Sequence, residues 1–243
     1  MSSLLSKLGG SLSNGLYTGP SGGVGKPFAQ IPFRKSKDPF FDNVSLLLKM
    51  NGPNNGSIFT DSSLNNNVVT AVSNARTSTA ITMANFEQSL SLPGDGSRIN
   101  WQNSQLFAFR TGDLTVEFWV YRTTNPSLVR FIGCGSWGIE LGSGLNTKWG
   151  SPAGERILTA PPPLNRWVHV AFCRAAGIIR LFYNGVLQAS NTDTGDISST
   201  AGTAYLGADN TGTFPFGGYL DELRITKGIA RYVSNFQTPT GPF

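Results

Sequence analysis

Carboxylates are the residues of this sequence that could perform acid–base chemistry. Hydrolysis of a glycosidic bond needs two carboxyl groups that flank the bond to be cleaved. Asp221 and Glu222 are adjacent, but neighbouring residues of a β-strand point to opposite faces of the sheet. The five glutamates are scattered, with no two within four residues of each other: Glu87, Glu117, Glu140, Glu155 and Glu222. We therefore predict that the chain is not an enzyme.

The single histidine and the two cysteines offer little other chemistry. A Ser–His–Asp triad or a zinc site would have to be built around His169. Cys173 follows four residues later, which on one strand places it about 13 Å away, too far for a Cys–His pair. We predict that His169 is structural. Cys134 and Cys173 lack metal-binding spacing and are interpreted as small buried thiols, although a disulfide across the domain stays open.

The positive charge is concentrated at one end of the chain. The net charge is +5, and residues 1–37 hold five of the 19 basic residues and no acidic residue. The remaining residues therefore carry 14 basic and 14 acidic groups. A domain that binds nucleic acid should have a basic face on its folded part. We predict no direct nucleic-acid binding.

Residues 1–38 are predicted to form an extended basic arm. Residues 15–23 are rich in glycine and cannot hold regular structure. No unbroken apolar run indicates a signal peptide, and no stretch reaches the roughly 18 apolar residues of a membrane span. The arm nevertheless carries apolar anchors that suit assembly against a neighbouring subunit: Leu4, Leu5, Leu8, Phe28, Ile31 and Phe33.

Residues 39–243 are predicted to be all-β. Residues 114–121 alternate between apolar and polar types, which indicates a strand with one buried face. Asn184-Gly185 lies between two strand-like runs and is a strong hairpin signal. Roughly a dozen such runs with no long helix favour two packed antiparallel sheets.

Three segments resemble the laminin-G-like, concanavalin A-like jelly-roll family. They are DLTVEFWV at 113–120, the hairpin with RWVHVAF and IRLFYNGVL within 166–187, and GYLDELRITKGIARY at 218–232. The resemblance covers about residues 41–236 and implies a jelly-roll β-sandwich. Many relatives hold one Ca²⁺ near the rim of the sandwich, and the matching positions here are Asp61 and Asp221. Hard oxygen ligands on adjacent loops suit Ca²⁺, whereas Asp61 could alternatively cap an Asx-turn.

Carbohydrate binding needs an exposed aromatic face with hydrogen-bonding groups nearby. We predict Trp149 as the best platform, because its neighbours are typical of a turn, and Trp137 as a second. Tyr205 and Phe214 are further candidates. Polar contacts would come from the loop with Asp209 and Asn210.

The closing segment looks especially like versions found in bacteriophage virion proteins. This resemblance implies a structural protein of the tail or capsid exterior, present in several copies and assembled in the host cytoplasm. Residues 1–38 would bind other virion proteins, and the sandwich would face outward toward host-surface glycan. Two alternatives stay open: a capsid decoration protein that binds no sugar, and a cellular lectin-like module.

Overall fold

The computed structural model describes residues 38–141 and 147–243, which form fifteen antiparallel strands. The predicted arm and its six apolar anchors lie outside the described residues. No helix in these two ranges is long and apolar enough to cross a membrane. The strands are β1 (Val44–Leu48), β2 (Val69–Val72), β3 (Arg76–Ser78), β4 (Ser89–Pro93), β5 (Arg98–Gln102), β6 (Leu114–Arg122), β7 (Val129–Cys134), β8 (Trp137–Leu141), β9 (Thr147–Ser151), β10 (Gly154–Thr159), β11 (Trp167–Ala175), β12 (Ile178–Tyr183), β13 (Val186–Thr192), β14 (Thr203–Leu206) and β15 (Gly217–Lys227).

The strands form two packed sheets. The eight-stranded sheet has the order β13-β12-β11-β6-β15-β4-β3, with β1 also pairing with β15. The seven-stranded sheet has the order β10-β9-β8-β7-β14-β5-β2. Several neighbours in these orders are distant in sequence, such as β6 and β15 or β7 and β14, as in a jelly roll, because the chain crosses between the sheets. The predicted all-β antiparallel sandwich is confirmed.

The core lies between the two sheets and follows the alternation in the sequence. In β6, Val116, Phe118 and Val120 are fully buried in the main hydrophobic cluster. Phe131 of β7 faces Phe118 from the other sheet, with ring centroids 5.9 Å apart. Since alternate residues of a strand face opposite sides, each sheet also presents an outer face on which polar side chains collect.

Candidate functional site

The outer face of the eight-stranded sheet is covered by the chain itself. Residues 229–243, the C-terminal segment, pack against this sheet. Tyr232 and Phe236 stack with centroids 3.5 Å apart, and both meet the ring of Phe182 edge-on. Backbone hydrogen bonds to Gly185 and side-chain hydrogen bonds to Thr115 fix the segment. A ligand therefore cannot lie on this face where the segment covers it.

A buried ionic cluster lies beneath this segment. Glu117 on β6 accepts hydrogen bonds from Arg224, at 2.8 Å, and from the hydroxyl of Tyr232, at 2.9 Å. Arg231 bonds both carboxylate oxygens of Asp38, at 2.9 and 2.8 Å. Burial alone would raise the pKa of Glu117, but the nearby imidazole, 3.3 Å away, and the two guanidinium groups lower it. The cluster attaches the C-terminal segment to the sheet.

The buried histidine of this cluster is His169. Its ring is fully buried and is edge-on to Trp119, Phe236 and Phe243. Its Nε2 lies 3.3 Å from Glu117, and neither ring nitrogen makes a well-formed hydrogen bond. Enclosure by three aromatic rings agrees with the structural role predicted from the sequence.

Asp221 and Glu222 do not face opposite sides of the sheet, so that expectation is wrong. A bulge interrupts the register of β15 against β6 between Asp221 and Arg224, and Glu222 has φ of +50°. Both carboxyl groups are buried. Burial, and then the charge of Glu222, raise the pKa of Asp221 to about 8. Glu222 accepts a hydrogen bond from the backbone of Phe243, which places the pair beneath the C-terminal segment.

The outer face of the seven-stranded sheet carries a cleft of about 260 Å³. Its floor is a row of three glycines on adjacent strands, which we call the glycine lane: Gly133, Gly138 and Gly150 are directly opposite one another in the strand pairing. Because strands lie about 4.8 Å apart, the lane spans roughly 10 Å, and its three residues contribute no side chains to the floor. A side chain added at Gly150 would meet nothing closer than 3.9 Å, so the lane is open there.

Tyr205 of β14 forms one end of the lane. It pairs with Gly133, and its ring lies so close over that glycine that a side chain there would collide with it. The ring is partly exposed, and its hydroxyl lies 3.2 Å from Arg130. Ser136 and Trp137 also line the cleft, and the buried hydroxyl of Ser136 has no hydrogen-bond partner among the described residues. The cleft thus combines an aromatic ring with polar groups.

Three charged residues run beside the lane, and Glu155 lies at its β10 end, directly opposite Gly150. We call these four residues the charge row: Arg130, Glu140, Lys148 and Glu155. Arg130 and Glu140 lie 3.1 Å apart, and Lys148 and Glu155 lie 2.8 Å apart. Lys148 is also directly opposite Glu140. The hydrogen bond from Lys148 lowers the pKa of Glu155. A second depression beyond this row is lined by all four residues and by Phe214.

The prediction of Trp149 and Trp137 as exposed sugar platforms is wrong. Trp149 points into the core from β9, and the exposed fraction of its surface is 0%. Trp137 is 4% exposed. The two indoles stack on each other, 5.4 Å apart. Trp149 Nε1 donates a 2.6 Å hydrogen bond to buried Asp193. The segment read as a turn is a strand, in which Gly150 lies on the outer face.

The predicted polar loop has a structural explanation. Asp209 is 9% exposed and accepts hydrogen bonds from the backbone and hydroxyl groups of Thr211 and Thr213. These donors organise the 209–213 turn and are bound by the carboxylate oxygens of Asp209. Asn210 is exposed, and neither residue lines the cleft. Phe214 is 38% exposed, and the guanidinium of Arg130 lies 5.6 Å from its ring.

The calcium ligands suggested by the family resemblance do not fit a metal. Asp61 accepts five hydrogen bonds, from groups of Leu47, Ser63 and Asn67, so its oxygens are committed to the 61–67 loop. Asp221 points beneath the C-terminal segment and has one unpartnered oxygen, Oδ2. Within 38–141 and 147–243, no three His, Cys, Asp or Glu side chains are grouped to hold a metal ion. The Asx-turn interpretation of Asp61 is the one the geometry supports.

The two cysteines are free and buried. Cys134 contacts Asn103 in the seven-stranded sheet, whereas Cys173 contacts Thr115 in the other sheet. Burial raises the pKa of both thiols. They do not form the disulfide that the sequence left open.

Sequence reasoning missed most of the cleft. Of the predicted aromatics, Tyr205 and Trp137 line it, whereas Arg130 and Glu140 were not singled out. The available signal was the alternation of outward-facing residues within β7, β8 and β9. Aligning these residues across the sheet requires the strand order, which the sequence alone does not show.

The comparisons with known proteins agree with this architecture. Residues 93–229 match the family model described as the concanavalin A-like lectin/glucanases superfamily. Domain 4 of the GH43 extracellular arabinanase AbnA from Geobacillus stearothermophilus, in complex with arabinotriose, has a TM-score of 0.59 at 20% identity, covering 77% of this chain and 94% of that one. No curated protein matches the sequence significantly.

Two toxin domains are also similar in structure. The binding domain of botulinum neurotoxin serotype D has a TM-score of 0.60 at 16% identity, covering 79% of this chain. The binding domain of Paraclostridial Mosquitocidal Protein 1 has a TM-score of 0.61 at 16% identity, covering 78%. This chain spans 50% of each of those domains. At such low identity these likenesses show the fold alone, whereas the family model covers more than half of the sequence. The chain therefore belongs to the concanavalin A-like lectin/glucanases superfamily, as a jelly-roll domain of the laminin G type.

Proposed function

We propose that this chain is a carbohydrate-binding module whose contact surface is the cleft on the outer face of the seven-stranded sheet. The observation that carries the proposal is the glycine lane between Tyr205 and the charge row. A floor without side chains lets a flat ligand approach the backbone closely. The partly exposed ring offers an apolar face, and the flanking charges offer hydrogen bonds.

Unpartnered polar atoms support a polar ligand. The hydroxyl of Ser136, a residue that lines the cleft, has no hydrogen-bond partner among the described residues. On the adjacent strand β5, Asn100 is directly opposite Tyr205 and has an unpartnered Oδ1. Buried polar atoms without partners are uncommon, since each costs about 1–3 kcal/mol, and a hydroxyl-rich ligand could satisfy such groups.

The proposed role is binding without catalysis. Glu140 and Glu155 come close to each other across β9, although sequence spacing placed them far apart. A glycosidase acid needs an environment that raises its pKa. Here the hydrogen bond from Lys148 lowers the pKa of Glu155, and Glu140 is paired with Arg130 at 3.1 Å. The carboxyl pair with a raised pKa, Asp221 and Glu222, lies on the other sheet, beneath the C-terminal segment.

A substitution at Gly150 tests the location of the site. Gly150→Val places a β-branched side chain on the lane, where a Cβ meets no atom within 3.9 Å, so the fold should tolerate it. We expect at least a tenfold loss of affinity for the glycan that binds best on an oligosaccharide array, measured by calorimetry. Thr70→Val changes an exposed residue on β2 of the same sheet, outside the cleft, and serves as the control. Equal affinity of both variants and the wild type would refute the proposed surface.

A place on a virus particle is a second candidate, supported by the resemblance of the closing segment. One structural observation bears on it: Arg231 holds Asp38, the first described residue, on the domain through two hydrogen bonds. The test is copurification of the full chain and of residues 38–243 with particles. Incorporation of the full chain alone supports anchoring by the arm. Failure of both to associate refutes the virion role.

A further inference from the structure

The charge row is electrically neutral and alternates in sign. From β7 to β10 the order is Arg130, Glu140, Lys148 and Glu155, and each cation is within 3.1 Å of a carboxylate oxygen. Lys148 is directly opposite Glu140, so the two ion pairs are joined into one ladder. Two positive and two negative groups leave no net charge beside the glycine lane.

Arg130, the cation nearest to the aromatic end of the lane, has three neighbouring partners. Its Nη2 lies 3.1 Å from Glu140, its Nη1 lies 3.2 Å from the hydroxyl of Tyr205, and its Cζ lies 5.6 Å from the ring of Phe214. A carboxylate on a ligand would have to share this guanidinium with Glu140, whose oxygen lies 3.1 Å from it. It would also meet the charge of the glutamate itself, and like charges at close range disfavour binding.

A neutral sugar has the complementary chemistry. Each hydroxyl group both donates and accepts a hydrogen bond. Successive hydroxyls can therefore donate to Glu140 or Glu155 and accept from Arg130 or Lys148 without breaking the ion pairs. The lane has Tyr205 over Gly133 at one end and Glu155 opposite Gly150 at the other, and its flat floor suits a chain lying across the strands rather than a bulky branch.

We propose that the cleft selects uncharged, unbranched glycan chains, and that pairing of Arg130 with Glu140 is what excludes acidic sugars. This inference rests on the proposed function, since it names the ligand class of the same site. It assigns to Glu140 a role in specificity, because its carboxylate pairs with the guanidinium of Arg130, which would otherwise attract an anion.

The experiment compares matched probes on the full chain by calorimetry. The neutral probes are arabinotriose, cellohexaose, mannohexaose and maltohexaose, and each is also prepared with its primary hydroxyls oxidised to carboxylates. We expect the oxidised form of any probe that binds to bind at least tenfold more weakly than the neutral form. In Glu140→Gln, which keeps the size of the side chain and frees Arg130, this ratio should fall to threefold or less.

Each outcome has a defined meaning. Thr70→Val, the matched control, should retain the wild-type ratio, and thermal unfolding should confirm that all variants are folded. Oxidised probes that bind as well as or better than neutral ones overturn the inference but leave the proposed function standing. The inference is also overturned if the ratio of the affinities for neutral and oxidised probes is the same in Glu140→Gln as in the wild type. Absence of binding by every probe, neutral and oxidised, counts against the proposed function itself and against the inference with it.

Discussion

Replacing Asp221 with asparagine should stabilise the protein at alkaline pH. The carboxyl group is buried, accepts one hydrogen bond from the backbone of Glu222 and has an unpartnered Oδ2. Burial, and then the neighbouring charge, raise its pKa from 3.8 to about 8. Between these values the folded chain retains a proton that the unfolded chain has released, so stability falls as the pH rises through this window.

The magnitude follows from this difference in pKa. At 1.36 kcal/mol per pH unit, the ionised carboxylate costs up to about 6 kcal/mol above pH 8. Entry of water and local rearrangement reduce such penalties, so we expect Asp221→Asn to gain about 2 kcal/mol at pH 8.5. Near pH 4 the native Asp221 is neutral, and the variant should differ little from the wild type.

Urea unfolding at pH 4, 6 and 8.5 measures the effect. A gain of the same size at pH 4 and pH 8.5, or a loss at pH 8.5, would refute the argument. Asp209→Asn provides a control of opposite sign. Partial burial would raise the pKa of Asp209, but hydrogen bonds from Thr213 and Thr211 outweigh it and lower the pKa to about 2. Its contribution is present above pH 3.8 and is lost as the pH falls through 2, so this variant should be destabilised at pH 7.

Two further predictions concern residues away from the cleft. Arg231→Ala should lower the free energy of unfolding by about 3 kcal/mol, because it removes a partner from two carboxylates beneath the C-terminal segment. Urea unfolding measures it, and Arg231→Lys should recover only part of the loss, since lysine cannot make the paired contact. Trp149→Phe should cost about 1–3 kcal/mol by leaving Asp193 without its indole donor, while glycan affinity stays unchanged. A tenfold loss of affinity in Trp149→Phe would restore the indole to a binding role.

The strands with regular alternation could be predicted from the sequence. The predicted strand at 114–121 appears as β6 with the expected buried face, and Asn184-Gly185 forms the turn between β12 and β13. In both cases the information is local, because a period of two and a turn with positive φ depend only on neighbouring residues.

The cleft could not be predicted in the same way, because it depends on long-range pairing. The position of Gly150 in a turn-like sequence suggested a loop, whereas pairing with β8 and β10 makes a strand and turns Trp149 inward. Glu140 and Glu155 are fifteen residues apart in sequence and become neighbours only once β9 lies between them. The bulge at Glu222 likewise reverses an expectation that holds for a regular strand.

The two ends of the described domain meet at one side chain. Arg224 bonds Asp38 at 3.2 Å, and its guanidinium carbon lies 3.7 Å from the ring centre of Phe243. A domain whose ends are this close can be inserted into a single surface loop of a carrier protein with short connections, without stretching either chain. Since the ends lie on the outer side of the eight-stranded sheet, such an insert would present the opposite sheet, and with it the cleft, away from the carrier.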